Sequence, residues 1–352
     1  MKALFLAGGS GTRLWPLSRK TRPKQLHVLF GEKSMMTQTV DRVRDLVDAK
    51  DIWIITAETY LEVVSQQCPS IPVSHLITEP FPLGTNLAVG LGLVNLLATD
   101  PEAIVLLGWA DSYVGDEAAF TKAVDLAREV AARLGGVLLT APPTYPATCY
   151  GYIETGEVLG ENPGAFKIKN FEEKPTIAKA REFIKTGKHF WNSGFSVWRA
   201  SYLLELMREH SPEHYQALQS YASCIGTPMT PSQIGSLFSK LEPLSIDKAV
   251  FEKASGLAAV PVSMDWNDIG SWSAVYDVQT GLQETVSLGE VVSIDTEKCL
   301  MMSNGRLIAT LGLSDLVIVE TQDVVLVVHK DQTERLKELH EAVRNQSGDK
   351  YL

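Results

Sequence analysis

The stretch Leu4 to Leu14, reading Leu-Phe-Leu-Ala-Gly-Gly-Ser-Gly-Thr-Arg-Leu, sets an apolar run against Gly8, Gly9 and Gly11 and then a cation, Arg13. Pro23-Lys24-Gln25 adds a second cation shortly afterwards. Glycines without Cβ let a backbone approach a ligand closely and turn its N–H groups toward it. A strand, a bare loop and two positive charges suit a triphosphate. Two better-known glycine loops are excluded. No Lys-Ser or Lys-Thr follows at P-loop spacing, and Gly9-Ser10-Gly11 leads to Leu14 without the third glycine of a dinucleotide fingerprint. Trp15-Pro16-Leu17 and Arg22-Pro23 resist helical geometry, so the loop runs from Gly8 to about Gly31. Long ordered loops in compact domains tend to be functional.

Further along, Asp111 follows the apolar strand Ala103 to Leu107, and Asp268 lies in Trp266-Asn-Asp-Ile-Gly-Ser-Trp272. Read alone, either is a turn aspartate. Together they are two carboxylates able to hold Mg²⁺, which binds through one or two protein oxygens plus phosphates. Phe171-Glu172-Glu173-Lys174-Pro175 and Trp191-Asn192-Ser193-Gly194-Phe195 embed polar groups among aromatics. Glutamate and asparagine suit hydroxyls and lysine suits a phosphate, against the plainer readings of a solvated charge cluster and a β-bulge. His210 and His214 are separated by Pro212, which spoils a helical zinc pair.

These residues need elements to hold them. Ile52 to Ile55, Ser74 to Thr78, Ala103 to Leu107 and Val137 to Thr140 read as strands. They alternate with helices: Met36, Val40, Val43 and Val47 on one face behind a Ser34 cap, the small-residue run Leu87 to Leu97, and Phe120, Val124, Ala127 and Val130. That alternation predicts an α/β fold, a Rossmann-like mostly parallel sheet with helices on both faces and ligands at the strands' carboxyl ends. From Cys149 to Met264 the texture becomes a substrate-binding insertion on the same sheet, and after Gln279 short strands separated by Asn-Gly, Gly and Asp turns predict a small β-rich domain closed by a helix from Thr333 to Val343. The expected division is 1–281, with a nucleotide half to about 148 and a sugar-binding part from about 149, and 282–352. A length of 352 residues, 45% hydrophobic and 21% charged, is ordinary for a globular protein. The net charge of −10 argues against a nucleic-acid surface. No apolar run approaches a membrane span, no signal-peptide core precedes the first strand, and Cys68, Cys149, Cys224 and Cys299 form no C-x-x-C pair. Reduced, mostly buried thiols and a cytoplasmic location are the expectation.

Taken together, Leu6-Ala-Gly-Gly-Ser-Gly-Thr-Arg-Leu-Trp-Pro-Leu-Ser18, Pro23-Lys-Gln25, Glu79-Pro80, Ala110-Asp111, Tyr150-Gly-Tyr-Ile153, Phe171-Glu-Glu-Lys-Pro175, Trp191-Asn-Ser-Gly194, Ser245-Ile-Asp-Lys-Ala-Val250 and Asp268-Ile-Gly-Ser-Trp272 strongly resemble the signature of sugar nucleotidyltransferases. The wording is most similar to the mannose-1-phosphate guanylyltransferase branch, and the resemblance covers essentially the whole chain. It implies an enzyme that uses Mg²⁺ to join GTP and mannose 1-phosphate into GDP-mannose and pyrophosphate. Leu6, Ala7, Gly8, Gly9, Gly11 and Thr12 would wrap the nucleotide, with Glu79, Gly84, Thr85 and Asn86 at the base. Arg13 and Lys24 would bind the triphosphate and stabilise the transition state, and Asp111 and Asp268 would hold the metal. Gly151, Glu172 and Asn192 would face the sugar, with Lys174 and Asp111 near its phosphate. The resemblance also implies a C-terminal left-handed β-helix able to take part in homodimerisation.

Two departures stand out. Ser112 replaces the histidine usual after Ala-Asp, and the base stretch, Glu79-Pro-Phe-Pro-Leu-Gly-Thr-Asn-Leu-Ala88, drifts toward the Leu-Gly-Thr of other branches. Uridylyl, thymidylyl or adenylyl transfer by the same chemistry, or a nucleotide-sugar binding protein without turnover, therefore stand as alternatives.

Overall fold

The computed structural model describes residues 1–9, 11–160, 162–227, 230–280 and 284–352. The chain divides into two compact units, one of Met1–Gly8, Thr39–Ala110 and Val114–Trp266, the other of Gly9–Gln38, Asp111–Tyr113 and Asn267–Leu352. The boundary expected at 281/282 falls outside the described residues.

The first unit is built on β1 (Lys2–Ala7), β2 (Ile52–Ala57), β3 (Leu76–Glu79), β4 (Ile104–Trp109), β5 (Gly136–Ala141), β6 (Tyr152–Val158), β7 (Phe166–Glu172), β8 (His189–Arg199) and β9 (Ala258–Pro261). They form one sheet in the order β3-β2-β1-β4-β8-β5-β9-β7-β6. β1, β2, β3 and β4 are parallel, as are β5 and β9, while β8 runs antiparallel between β4 and β5. Strand parity covers both faces. Leu4 of β1 reaches toward the helix Thr85–Thr99 at Gly92, whereas Phe5 meets Phe195 of β8 beside Gly108. Phe195 in turn packs edge-on against Phe120 of the helix Glu117–Leu134, ring centroids 5.0 Å apart. Asp116 caps that helix, its Oδ1 accepting from Ala119 N at 2.8 Å. Phe120, Val124, Ala127, Val130 and Ala131 on its inner face are fully buried, each such side chain contributing about 1–3 kcal/mol of apolar burial.

In the second unit Ser34 caps the start of the helix Met35–Arg42, accepting from Thr37 N at 3.2 Å. After Asn267 the chain enters the helix Trp272–Thr280 and then a parallel β-coil. Val286–Leu288, Leu300–Met302 and Leu316–Glu320 stack in register, Val286 on Leu300 on Val317, while Val291–Ile294 stacks on Ile308–Leu311 along another side. Strand Val286–Leu288, too short to show a pattern in the sequence, is the first rung. Leu316–Glu320 turns back through an antiparallel hairpin with Val325–His329, and the closing helix spans Leu336–Ser347 after a 3₁₀ turn from Lys330. The coil's interior, Leu300, Val317 and Val319, belongs to one buried cluster with Leu14, Trp15, Leu29, Phe30, Ile269 and Trp272. The long glycine loop is thus ordered by the coil's own core.

Among the described residues no helix is long and apolar enough to cross a membrane. The four cysteines are free thiols, Cys68 and Cys299 buried, Cys224 half-buried and Cys149 exposed.

Candidate active site

In the second unit the turn after β1 brings the expected charges together. Gly11 adopts φ 61°, ψ 33°, a left-handed conformation that opens the 3₁₀ turn Thr12–Leu14. A Cβ there would lie 2.7 Å from the Lys24 Cβ, so this glycine is what lets the lysine stem lie against the loop. Pro23 presents Lys24 on its own 3₁₀ turn, with only 8% of its side chain exposed. A nearly buried ammonium must be paired. Lys24 Nζ lies 2.8 Å from Asp111 Oδ2 and donates to the main-chain oxygens of Asp268 at 2.7 Å and Ile269 at 3.3 Å.

Two successive carbonyls can converge on one ammonium because Ile269 sits at φ 48°, a conformation rare for a β-branched residue. Asn267 holds it there, its Oδ1 accepting from Ile269 N at 2.8 Å, and the Ile269 side chain is fully buried. A side chain at Gly270 would begin 2.9 Å from Asp268 Oδ2 and 3.2 Å from Arg13 Nη1, so the carboxylate and the guanidinium both close over this glycine. Arg13 also reaches Glu334, Nη1 to Oε2 3.3 Å, in an exposed pair. The structure thereby gathers Arg13, Lys24, Asp111 and Asp268, with Gly9, Gly11 and Thr12 in the same unit. The donor set, two carboxylates beside two cations, suits a hard divalent cation carried by a polyphosphate, which binds through one or two protein oxygens and takes the rest of its shell from phosphate and water. Among the described residues no cluster of three or more His, Cys, Asp or Glu forms a dedicated metal cage.

The remaining expected residues lie in the first unit. Leu6, Ala7 and Gly8 end β1, and Glu79 ends β3 with Oε1 3.9 Å from where a Gly8 Cβ would stand. Burial pushes the Glu79 carboxyl up to about 7. The Gly84–Asn86 stretch is arranged differently from expectation. Gly84, at φ 86°, packs against the Leu244 main chain; Thr85 Oγ1 accepts from Ile246 N at 3.0 Å; Asn86 N donates to Leu244 O at 3.0 Å. Asn86 is fully buried and its amide donates to Ser211 Oγ at 3.1 Å. The Thr85 hydroxyl and the Asn86 main-chain N–H thus pin the 244–246 segment, while the Asn86 side chain donates to Ser211 and its Oδ1 is buried without a partner among the described residues.

The residues expected at the sugar lie around the end of β7. Glu172, the last residue of β7, turns to Lys179 at 2.8 Å, and it is Glu173 that lies beside Gly151 and Lys174. Consecutive residues at a strand end face opposite ways, and residue type cannot distinguish two adjacent glutamates. Glu173 Oε1 pairs with Lys174 Nζ at 2.6 Å with 7% of the glutamate side chain exposed, and its Oε2 would overlap any Cβ at Gly151. Burial pulls the Lys174 pKa down, but Glu173 and Asp247 more than offset this and leave it raised. Asn192 N donates to Gly151 O at 2.8 Å, and its side-chain amide donates to Asp247 Oδ1 at 3.0 Å. The β-bulge, the plainer reading of this stretch, is present too: Leu138 pairs with Ser196 but Thr140 with Asn192, so β8 carries extra residues just after Asn192. Asp247 was missed by sequence reasoning. It belongs to the Ser245–Val250 motif, but only the fold sets it against Asn192.

With this geometry in place, comparison with known proteins gives the class. The chain belongs to the nucleotidyl transferase family, which it matches over residues 2–285, and residues 289–342 match the MannoseP isomerase/GMP-like beta-helix domain. It is 34% identical over 356 residues to mannose-1-phosphate guanylyltransferase RfbM of Salmonella typhimurium, covering 99% of this chain and 73% of that one. It is 34% identical over 346 residues to alginate biosynthesis protein AlgA of Pseudomonas aeruginosa, covering 96% of this chain and 71% of that one. Among solved structures, a Thermus thermophilus protein described as a mannose-1-phosphate geranyltransferase superposes with TM-score 0.87 at 32% identity, covering 97% of this chain and 99% of that one.

Proposed function

We propose that the chain transfers a guanylyl group from GTP to mannose 1-phosphate. An oxygen of the sugar phosphate attacks the α-phosphorus, the bond to the bridging oxygen of the β-phosphate breaks, and pyrophosphate leaves with that electron pair. No enzyme nucleophile is needed, since the attacking phosphate is already ionised at neutral pH. The protein's task is positioning and charge neutralisation.

The observation that carries this reading is the Lys24 ammonium, held by Asp111 and two carbonyls with Arg13 and Asp268 alongside. Arg13 and Lys24 would take the triphosphate charge by exchanging partners already in place, Glu334 on Arg13 and one of the oxygens around the Lys24 ammonium. Asp111 and Asp268 would hold Mg²⁺, which when bound neutralises charge on the polyphosphate. Glu79, when ionised, can accept from the N1–H and exocyclic amine of guanine. Glu173, Lys174 and Asn192 receive the sugar and its phosphate. We assign the reaction to the cytoplasm, keep 1–281 and 282–352 as the proposed functional division, and assign homodimerisation to the coil's outward strand face, where Val292, Ile294 and Leu311 are exposed.

A second reading, the same transfer with another base, is favoured by Gly84-Thr85-Asn86, where the Thr85 hydroxyl and the Asn86 amide nitrogen are tied into the fold. A panel of five nucleoside triphosphates against several sugar 1-phosphates, scored by pyrophosphate release, separates them. GTP with mannose 1-phosphate is expected to be fastest, with activity lost on chelation and restored by Mg²⁺. A faster pair of another base or sugar replaces this reading.

A further inference from the structure

Asp247 stands out because no role in the reaction uses it, yet four separate contacts fix where it lies. Leu244 N donates to Leu83 O at 3.1 Å, Asn86 N to Leu244 O at 3.0 Å, and Ile246 N to Thr85 Oγ1 at 3.0 Å, so the segment just before Asp247 is sewn to the start of the helix Thr85–Thr99. The chain then makes a π-helical turn, Asp247–Phe251, whose Ala249, Val250 and Phe251 are buried. Asp247 opens that turn and accepts from Asn192 Nδ2 at 3.0 Å. The carboxylate is closely surrounded, but the residue keeps part of its surface open to solvent.

We infer that Asp247 is a positioning and specificity residue for the sugar: it fixes the Asn192 amide and offers its own carboxylate to a sugar hydroxyl. This rests on the reading of Glu173, Lys174 and Asn192 as the sugar-phosphate set. Gly194 N donates to Asn192 Oδ1 at 3.3 Å while Asn192 Nδ2 donates to Asp247, so the amide has one assignment that satisfies both ends. The Asp247 carboxylate also accepts from its own main-chain N–H, so the second amide N–H of Asn192 and the remaining acceptor capacity of the carboxylate are what a ligand would meet. A polyol with free hydroxyls fits such a mixed donor and acceptor set; an apolar group would strand both.

The electrostatics add a consequence. Burial and the Glu173 charge raise the Asp247 carboxyl to about 7, opposed by Lys174 and by the Asn192 amide. The charged groups facing it are Glu173 and Lys174 from the end of β7, with Glu252 one turn further on accepting from Glu173 N at 2.7 Å. When Lys174 turns from Glu173 to the phosphate of the sugar, Asp247 loses a positive charge that holds its carboxyl down and keeps a proton more tightly. Sugar binding is therefore coupled to protonation of Asp247.

Asp247→Asn tests this in the intact chain, with a thermal melt to confirm folding. The expected result is a KM for mannose 1-phosphate raised about tenfold or more, a KM for GTP within about twofold of wild type, and loss of the Asp247 ionisation near 7 from the pH profile of kcat/KM for the sugar phosphate measured at saturating GTP, identified as the part of the profile that Glu79→Gln leaves in place. An unchanged KM for the sugar phosphate with the ionisation retained overturns the inference while leaving the guanylyl-transfer reading intact. If wild type turns over no pair of substrates, that reading falls. A titration of mannose 1-phosphate followed by tryptophan fluorescence then makes the same comparison without turnover: weaker binding to Asp247→Asn supports the inference, and equal binding or none overturns it.

Discussion

Lys24 Nζ lies 2.8 Å from Asp111 Oδ2 while donating to the main-chain oxygen of Asp268 at 2.7 Å, so one ammonium joins two acidic positions far apart in the chain. A preorganised charge of this kind contributes about 3 kcal/mol to a transition state. Lys24→Met should lower kcat about a hundredfold or more. Lys24→Arg should not rescue it, because a planar fork cannot replace a point charge among three oxygens. Asp111→Ala and Asp268→Ala should each abolish pyrophosphate release; activity near wild type in either would remove that residue from the proposed metal set.

Arg13 spends one N–H on Glu334, whose side chain is 63% exposed. Exposed pairs are worth about 0–1 kcal/mol, so a phosphate displaces this carboxylate easily, at a small cost in affinity. Glu334→Gln is expected to lower the KM for GTP, by up to about fivefold, with unfolding stability essentially unchanged. A raised KM would mean that Glu334 orients Arg13 and does not compete for it.

The adjacent glutamates should part company. Glu173→Gln unpairs Lys174 beside Gly151 and should raise the KM for the sugar phosphate about tenfold, whereas Glu172→Gln loses only its pair with Lys179 and should stay within about twofold. Steady-state kinetics of the two variants side by side decide it, and the reverse ranking would restore Glu172 to the sugar set.

Glu79 gives stability a pH signature. Its carboxyl rises from 4.5 unfolded to about 7 folded through burial, so the native state holds the proton more tightly. The resulting contribution is present in full below 4.5 and is lost as pH climbs through 7. Glu79→Gln, neutral throughout, should gain on wild type by up to about 3 kcal/mol between pH 4.5 and pH 8 in urea unfolding. Asp247 has the same sign but is common to both proteins and cancels in the difference. A difference that is flat with pH would show that Glu79 is not held protonated by the fold.

The sequence made some of this legible and hid the rest for identifiable reasons. Gly11, Arg13 and Lys24 lie on one continuous loop, and Asp111 follows an apolar strand, so local pattern suffices to propose them. Glu172 against Glu173 is a question of parity, decided by where β7 stops. Thr85 and Asn86 look like ligand groups by type, yet their partners, Ile246 and Ser211, are more than a hundred residues away. Asp247 acquires its meaning only when the 244–246 segment is pinned and a bulged strand presents Asn192. The antiparallel β8 inside an otherwise parallel run likewise depends on long-range pairing that alternation of strands and helices does not reveal.

The cluster that joins Leu14, Trp15 and Phe30 to Leu300, Val317 and Val319 has an implication for modular engineering. The β-coil is not a detachable tail: ending the chain at residue 281 would strip the apolar backing from the glycine loop and unseat Ile269, whose carbonyl steadies the lysine. Grafts or fusions that keep the coil should retain an armed loop, and shortened versions should lose triphosphate affinity before the nine-stranded sheet melts.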